Sequence, residues 1–289
     1  MKTLLLSLAL STGLLAQKPF QVKITGRGPA MILIPGLSCP GEVWDTTVAR
    51  YQDRYQMHVL SIGGFAGVPR GPAPLLENVR ERLAAYIKEK HLEKPVIVGH
   101  SLGGFVALDL AEKYPDLPGR LVIVDAYPFF AGVMGPNVTP AEAKANAEMM
   151  RKAMAAQSQE DYERYVKAGV STRPMVTKDS DLERIIAWGL ASDRTTMTDV
   201  MTELFSADLR DGLPKIQSPS LVLGSWIGYK QYTDRAHIEE NLHRQYAGLR
   251  GVRIEMADNA RHFIMWDDPD WMFGQLDRFL KAERPAESQ

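Results

Sequence analysis

From Gln21 onward the chain alternates short, largely apolar runs with longer stretches whose apolar residues recur at helical spacing. Gln21-Val22-Lys23-Ile24-Thr25 alternates polar and apolar, the pattern of a half-buried edge strand. Ala30–Ile34, Met57–Ile62, Pro95–Val98, Leu121–Val124 and Pro219–Gly224 are largely apolar, as strands covered on both faces must be. Val252–Met256 alternates again and reads as a last strand. Helical spacing fills the intervals: from about Val43-Trp44 to Tyr51, Leu75 to Glu89, Phe105 to Tyr114, Asp234 to Ala247 and Pro269 to Leu280. Strands alternating with helices imply parallel pairing through crossovers, hence an α/β fold with a mostly parallel, doubly wound sheet. Ligands of such sheets sit beyond the carboxyl ends of the strands.

The alternation stops after Asp125. Residues 127–212 contain no convincing strand, while Thr139-Pro140-Ala141-Glu142 starts a helix with threonine as N-cap and proline at the first helical position. That helix runs to about Gln157, and others fit Glu160–Lys167, Ser180–Ala191 and Thr195–Ser206. The expected organisation is a core of residues 17–126 and 213–289 with an inserted all-helical cap at 127–212. The insertion carries seven of the 13 methionines; such faces more often serve as flexible core packing than as a ligand surface, though were the insertion to cover the site, some would line an adaptable apolar pocket.

Composition narrows this picture without redirecting it. A chain of 289 residues has room for a sizeable core, and 45% hydrophobic with 24% charged residues is ordinary for a globular protein. A net charge of -1 gives no electrostatic reason to expect nucleic acid or an anionic membrane. Lys2, the apolar stretch Leu4–Ala16 and polar Gln17 form the pattern of a secretory signal peptide at residues 1–16, too short for a membrane span. The expectation is an exported chain, periplasmic or secreted, without stable membrane insertion after cleavage, and monomeric or a small homo-oligomer. A single cysteine, Cys39, forbids an intramolecular disulfide.

The chemistry concentrates at Val98-Gly99-His100-Ser101-Leu102-Gly103-Gly104-Phe105. Gly99-His100-Ser101-Leu102-Gly103 matches G-x-S-x-G, which matters only on a tight strand-to-helix turn, where the serine hydroxyl is lifted clear of the sheet. A strand precedes the motif and a helix follows it, so Ser101 reads as a nucleophile. A serine hydroxyl needs a base within hydrogen-bond reach. Of six histidines, His58 lies in a strand, His91 follows a surface helix, His237 and His243 belong to a charged helix, and His100 points away from its neighbour Ser101. His262 alone occupies a loop after the final strand, at the site-bearing end, and is the expected general base. No histidine–carboxylate spacing resembles a metal ligand set, and no cofactor motif is present.

Ile34-Pro35-Gly36-Leu37, Gly99–Gly104, Leu121-Val122-Ile123-Val124-Asp125 and Ala260-Arg261-His262-Phe263 together resemble the α/β-hydrolases that bear a cap, over about Val22 to Leu280. The resemblance implies an oxyanion hole made by the backbone N–H groups of Leu102 and Leu37. The family's usual acid follows the strand Leu221–Gly224, yet Ser225-Trp226-Ile227-Gly228-Tyr229-Lys230 holds none, and the next is Asp234. Some members place the acid after the preceding strand, where Asp125 stands. Asp125 is therefore the favoured third member, with Asp234 the alternative and Asp258 behind both.

The function these residues imply is hydrolysis of a small-molecule carboxylic ester or related acyl substrate with an apolar moiety, through a Ser101–His262–Asp125 triad and an acyl-enzyme. A cofactor-free haloperoxidase or perhydrolase, or a carbon–carbon bond hydrolase, would use the same residues. A dehalogenase is disfavoured because its nucleophile would be an aspartate. From another class, a non-enzymatic protein could keep the fold to hold an apolar ligand, a reading suggested by the missing acid.

Overall fold

The structure, a computed structural model, describes residues 17–135 and 137–281. The signal-like segment 1–16 lies outside them. Seven strands form one sheet: β1 (Phe20–Gly26), β2 (Ala30–Ile34), β3 (Gln56–Ile62), β4 (Val96–His100), β5 (Arg120–Val124), β6 (Ser220–Ser225) and β7 (Arg253–Ala257). Their order is β1-β3-β2-β4-β5-β6-β7, with β1 antiparallel to β3 and every other pair parallel. The alternating first strand is the antiparallel edge, and β2, β4 and β6 are buried along their whole lengths.

Side-chain alternation splits the core into two layers. Ile32, Ile34, Ile97, Leu121 and Ile123 face one layer, while Met31, Leu33, Val96, Val98, Val122 and Val124 face the other. The first layer is closed by α2 (Leu75–Glu89) and α3 (Leu102–Lys113), the second by α1 (Asp45–Tyr51) and α10 (Pro269–Lys281). This is the mostly parallel, doubly wound α/β arrangement expected from the sequence.

Between β5 and β6 the chain leaves the sheet to form α4 (Pro140–Ala156), α5 (Gln159–Ala168), α6 (Asp179–Ala191) and α7 (Arg194–Ser206). Thr139 caps α4 in a full capping box with Glu142, as the Thr-Pro-x-Glu start implied. The insertion is fastened to the core at α7, where the Glu203 carboxylate accepts the first backbone N–H groups of α2, from Leu75 (2.9 Å) and Leu76 (2.8 Å). Those donors have no intrahelical acceptor, so a side chain from the insertion completes a helix of the core. Helix α8 (Arg235–Gln245) follows β6, and the four-residue α9 (Ile264–Asp267) follows the His262 loop.

Candidate active site

Register explains how residues far apart in sequence meet. In β4 and β5, His100 lies opposite Val124, so the next residues, Ser101 and Asp125, leave adjacent strands at the same level. Both do so with positive φ, 52° for Ser101 and 48° for Asp125. Side chains other than glycine rarely adopt this backbone, and it is held here by the surrounding chain. Ser101 donates its N–H to Val124 O (2.9 Å), and Asp125 donates its own to Leu223 O (2.7 Å). The turn at Ser101 has room only for glycines. A Cβ on Gly99 would run into Gly103 O, and one on Gly103 into Ile34 O. A Cβ on Gly104 would lie 2.6 Å from the Ala126 Cβ.

Asp125 is 9% exposed and spans three elements. Its Oδ2 accepts from His262 Nδ1 at 2.6 Å and from the Ser225 hydroxyl at 2.9 Å, while Oδ1 accepts the Ser225 N–H at 2.7 Å. With its proton on Nδ1 facing a carboxylate, neutral His262 carries its lone pair on Nε2. Ser225 ends β6, where the family's usual acid would begin, so a serine from that loop secures the aspartate of the neighbouring strand. Local pattern did not single out Ser225. The strand ends come closer, since Val124 pairs with Leu223, which puts Asp125 beside the end of β6 that carries Ser225.

Asp234 and Asp258 are engaged elsewhere. Asp234 caps α8, accepting from the His237 N–H (2.9 Å) and from His237 Nδ1 (2.8 Å), and Asp258 accepts from Arg235 Nε (3.0 Å). Of the three carboxylates weighed from sequence, the structure pairs only Asp125 with His262.

His100 packs under the site. Its ring lies 4.6 Å from that of His262 and 4.7 Å from Phe263, and its Nε2–H donates to His262 O at 3.1 Å. Burial, then the neighbouring His262, pushes its pKa well below the ordinary histidine value, so His100 stays neutral. Gly36 abuts this pair: a Cβ there would sit 2.8 Å from His100 Nδ1 and 3.3 Å from the Ser101 Cβ. Leu37 follows that glycine, and Leu102 directly follows Ser101 and opens α3, where the first N–H groups lack intrahelical partners. Cys39 is buried in the core and its thiol is pushed up to about 12 by burial, which disfavours the thiolate.

Ser101, Asp125, Ser225 and His262 line one cavity of about 590 Å³, within the usual range for small-molecule sites. Leu102, Phe105, Phe130 and Leu204 supply apolar wall, and Tyr232, His237, Asn241 and Arg244 supply polar wall. No methionine lines it among the described residues; much of the wall comes from residues 126–135, α7 and α8. Burial and then the Asp125 charge raise the pKa of Tyr127, which keeps its hydroxyl neutral beside the aspartate.

A family model for the alpha/beta hydrolase family matches residues 31–275. The chain belongs to this family. Among its relatives, the pimeloyl-[acyl-carrier protein] methyl ester esterase of Vibrio atlanticus (strain LGP32) is 28% identical over 217 residues, covering 69% of this chain and 76% of that protein. The N-formylmaleamate deformylase of Pseudomonas putida is 24% identical over 263 residues, covering 88% and 90%. The fold is shared with an esterase from Exiguobacterium antarcticum (TM-score 0.72, 17% identity, 91% and 96% covered) and with the enol-lactonase from Burkholderia xenovorans LB400 (TM-score 0.70, 18% identity, 91% and 96% covered). This hydrolase therefore has esterases among its homologues.

Proposed function

We propose that the protein hydrolyses a carboxylic ester with an apolar moiety, using Ser101 as nucleophile, His262 as general base and Asp125 as the acid of the triad. The observation that carries this reading is the 2.6 Å His262–Asp125 hydrogen bond at one wall of the cavity that also holds Ser101 on its strained turn.

Ser101 Oγ attacks the ester carbonyl carbon while His262 Nε2 takes its proton. The backbone N–H groups of Leu37 and Leu102 stabilise the oxyanion. The C–O bond then breaks, His262 returns the proton to the departing alkoxide, and the acyl group stays on Ser101. Water gives a proton to His262 and attacks the acyl carbon; the bond from that carbon to Ser101 Oγ then breaks, His262 returns the proton to Oγ, and the carboxylic acid leaves. Asp125, secured by Ser225, orients the imidazole and balances its charge when protonated. Phe105, Phe130 and Leu204 favour an apolar acyl or alcohol group, in keeping with the ester named for the Vibrio relatives.

Asp125 supplies the acid whose absence from the β6 loop had suggested a binding role. The test combines a fluorophosphonate probe with p-nitrophenyl esters graded by acyl length. Labelling and turnover should both occur in the wild type, and both should vanish in Ser101→Ala. A wild type that neither labels nor turns over any ester contradicts the proposal.

A further inference from the structure

The loop that carries His262 is held from two sides. On the core side, His262 O accepts from His100, Phe263 stacks on Trp266 (4.7 Å between centroids, 21° between planes), and the Trp266 Nε1–H donates to Val43 O (3.1 Å). On the other side stands a short piece of the helical insertion, residues 173–177, between α5 and α6. Arg261 Nη1 donates to Arg173 O (2.9 Å) and to Val176 O (2.7 Å). The Phe263 N–H donates to Met175 O (3.2 Å). The Asp267 carboxylate then bridges the two segments: Oδ2 accepts the Arg261 N–H (2.9 Å) and Oδ1 accepts the Thr177 N–H (3.0 Å). Each residue flanking His262 is thus bonded to the insertion. Pro174 O also lies so close to Gly228, in the loop after β6, that a Cβ there would strike it.

We propose that Arg261 and Asp267 are positioning residues that mount the His262 loop on residues 173–177, so that the insertion itself helps set the histidine against Asp125. This rests on His262 being the general base. The side-chain types fit the task. Only a carboxylate offers two acceptor oxygens to two backbone donors, and the arginine Nη1, with two N–H groups, reaches both carbonyls. Asparagine at 267 would turn its NH₂ toward one of the two N–H groups. Methionine at 261 would fill the space without reaching either carbonyl.

The experiment uses the full chain with Asp267→Asn and, because an amide facing two N–H groups there could impair folding, also with Arg261→Met. Three quantities are read well below each melting temperature: kcat and KM on the best p-nitrophenyl ester, the pH profile of kcat/KM, and the low-field proton resonance of the His262 Nδ1–H bonded to Asp125. The expected result is a fall in kcat of up to about a hundredfold, the scale set by small misplacements of a reacting group, with KM little changed. The acid limb of the profile should differ from that of the wild type, a readout that a merely structural role would leave in place. The low-field resonance should weaken or shift upfield. Wild-type kcat, limb and resonance in both variants overturn the inference, as does a loss of activity that follows the unfolded fraction alone while limb and resonance stay put. The resonance is read whether or not esters are turned over, so failure of the proposed function and failure of the mount are distinguishable.

Discussion

Two histidine–aspartate pairs, each with its histidine on the wall of the cavity, are nearly equal in length. His262 Nδ1 lies 2.6 Å from Asp125, and His237 Nδ1 lies 2.8 Å from Asp234. Their surroundings differ in every other respect. The first pair joins residues 137 apart, with side chains 16% and 8% exposed. The second joins residues three apart on one helical turn, with side chains 74% and 65% exposed. In water the second pair is solvated and screened, and its aspartate serves first as a helix cap. In the first, the carboxylate is secured by two bonds from Ser225 and faces a histidine from a loop beyond β7, far away in sequence. Contact between a histidine and an acid is therefore a weak marker of chemistry. Convergence of separate elements on a buried carboxylate is a strong one.

The sharpest way to break the comparison is to remove each histidine in turn. His262→Ala should lower kcat by on the order of a millionfold, the scale seen when a triad base is deleted, whereas His237→Ala should leave kcat near the wild-type value. Comparable losses in an ester-hydrolysis assay would show that the exposed pair takes part in the reaction. A smaller effect separates the pairs by stability. Asp234→Ala should lower the melting temperature modestly through loss of the α8 cap and leave kcat unchanged, which thermal unfolding beside steady-state kinetics would establish.

Acidity divides the two regions with opposite signs. The Asp234 carboxylate raises the pKa of His237, so the stability from that pair is present below the ordinary histidine value of 6.5 and fades as pH rises through the raised value. His100, beneath the buried pair, behaves in reverse. Its folded pKa lies well below 6.5, so the unfolded chain binds the extra proton, and stability is full above 6.5 and falls as pH drops below it. His100→Gln should narrow the gap in melting temperature between about pH 7.5 and about pH 5.5. An unaltered gap would mean that another group governs the acid side. This is the smallest of the expected effects.

The same contrast marks what could be read from the amino-acid order. Strands, helices and the turn at Ser101 were legible because each depends on residues within a few positions: the spacing of apolar side chains, the Thr139-Pro140 start, and the glycines that the turn requires. Asp125 was legible as a candidate for a related reason, since it ends a strand adjacent to the one bearing Ser101. The choice between it and Asp234 was open in the sequence, because it depends on where His262 lies in space. Ser225, the bridge from Arg261 and Asp267 to residues 173–177, and the walls of the cavity were not legible. Each is a contact across about 85 to 100 residues, set by strand order and by the path of the insertion rather than by any local pattern. The short helix Ile264–Asp267 was missed too, and with it the role of Asp267. For the methionines of α4 and α7 the sequence left packing and a pocket wall both open; α7 contributes Leu204 to the cavity, and no methionine lines it among the described residues.

The central claim is that Asp125, and not the acid nearer the family's usual position, works with His262 and Ser101. It is tested most directly by measuring kcat for Asp125→Asn and Asp234→Asn side by side on the same ester. The amide at 125 can no longer accept the His262 proton as a charged partner, and loss of the acid from such a triad costs on the order of ten-thousandfold in rate. The expected result is a fall of that size for Asp125→Asn with Asp234→Asn close to wild type. Equal, mild effects, or a larger loss for Asp234→Asn, would contradict it.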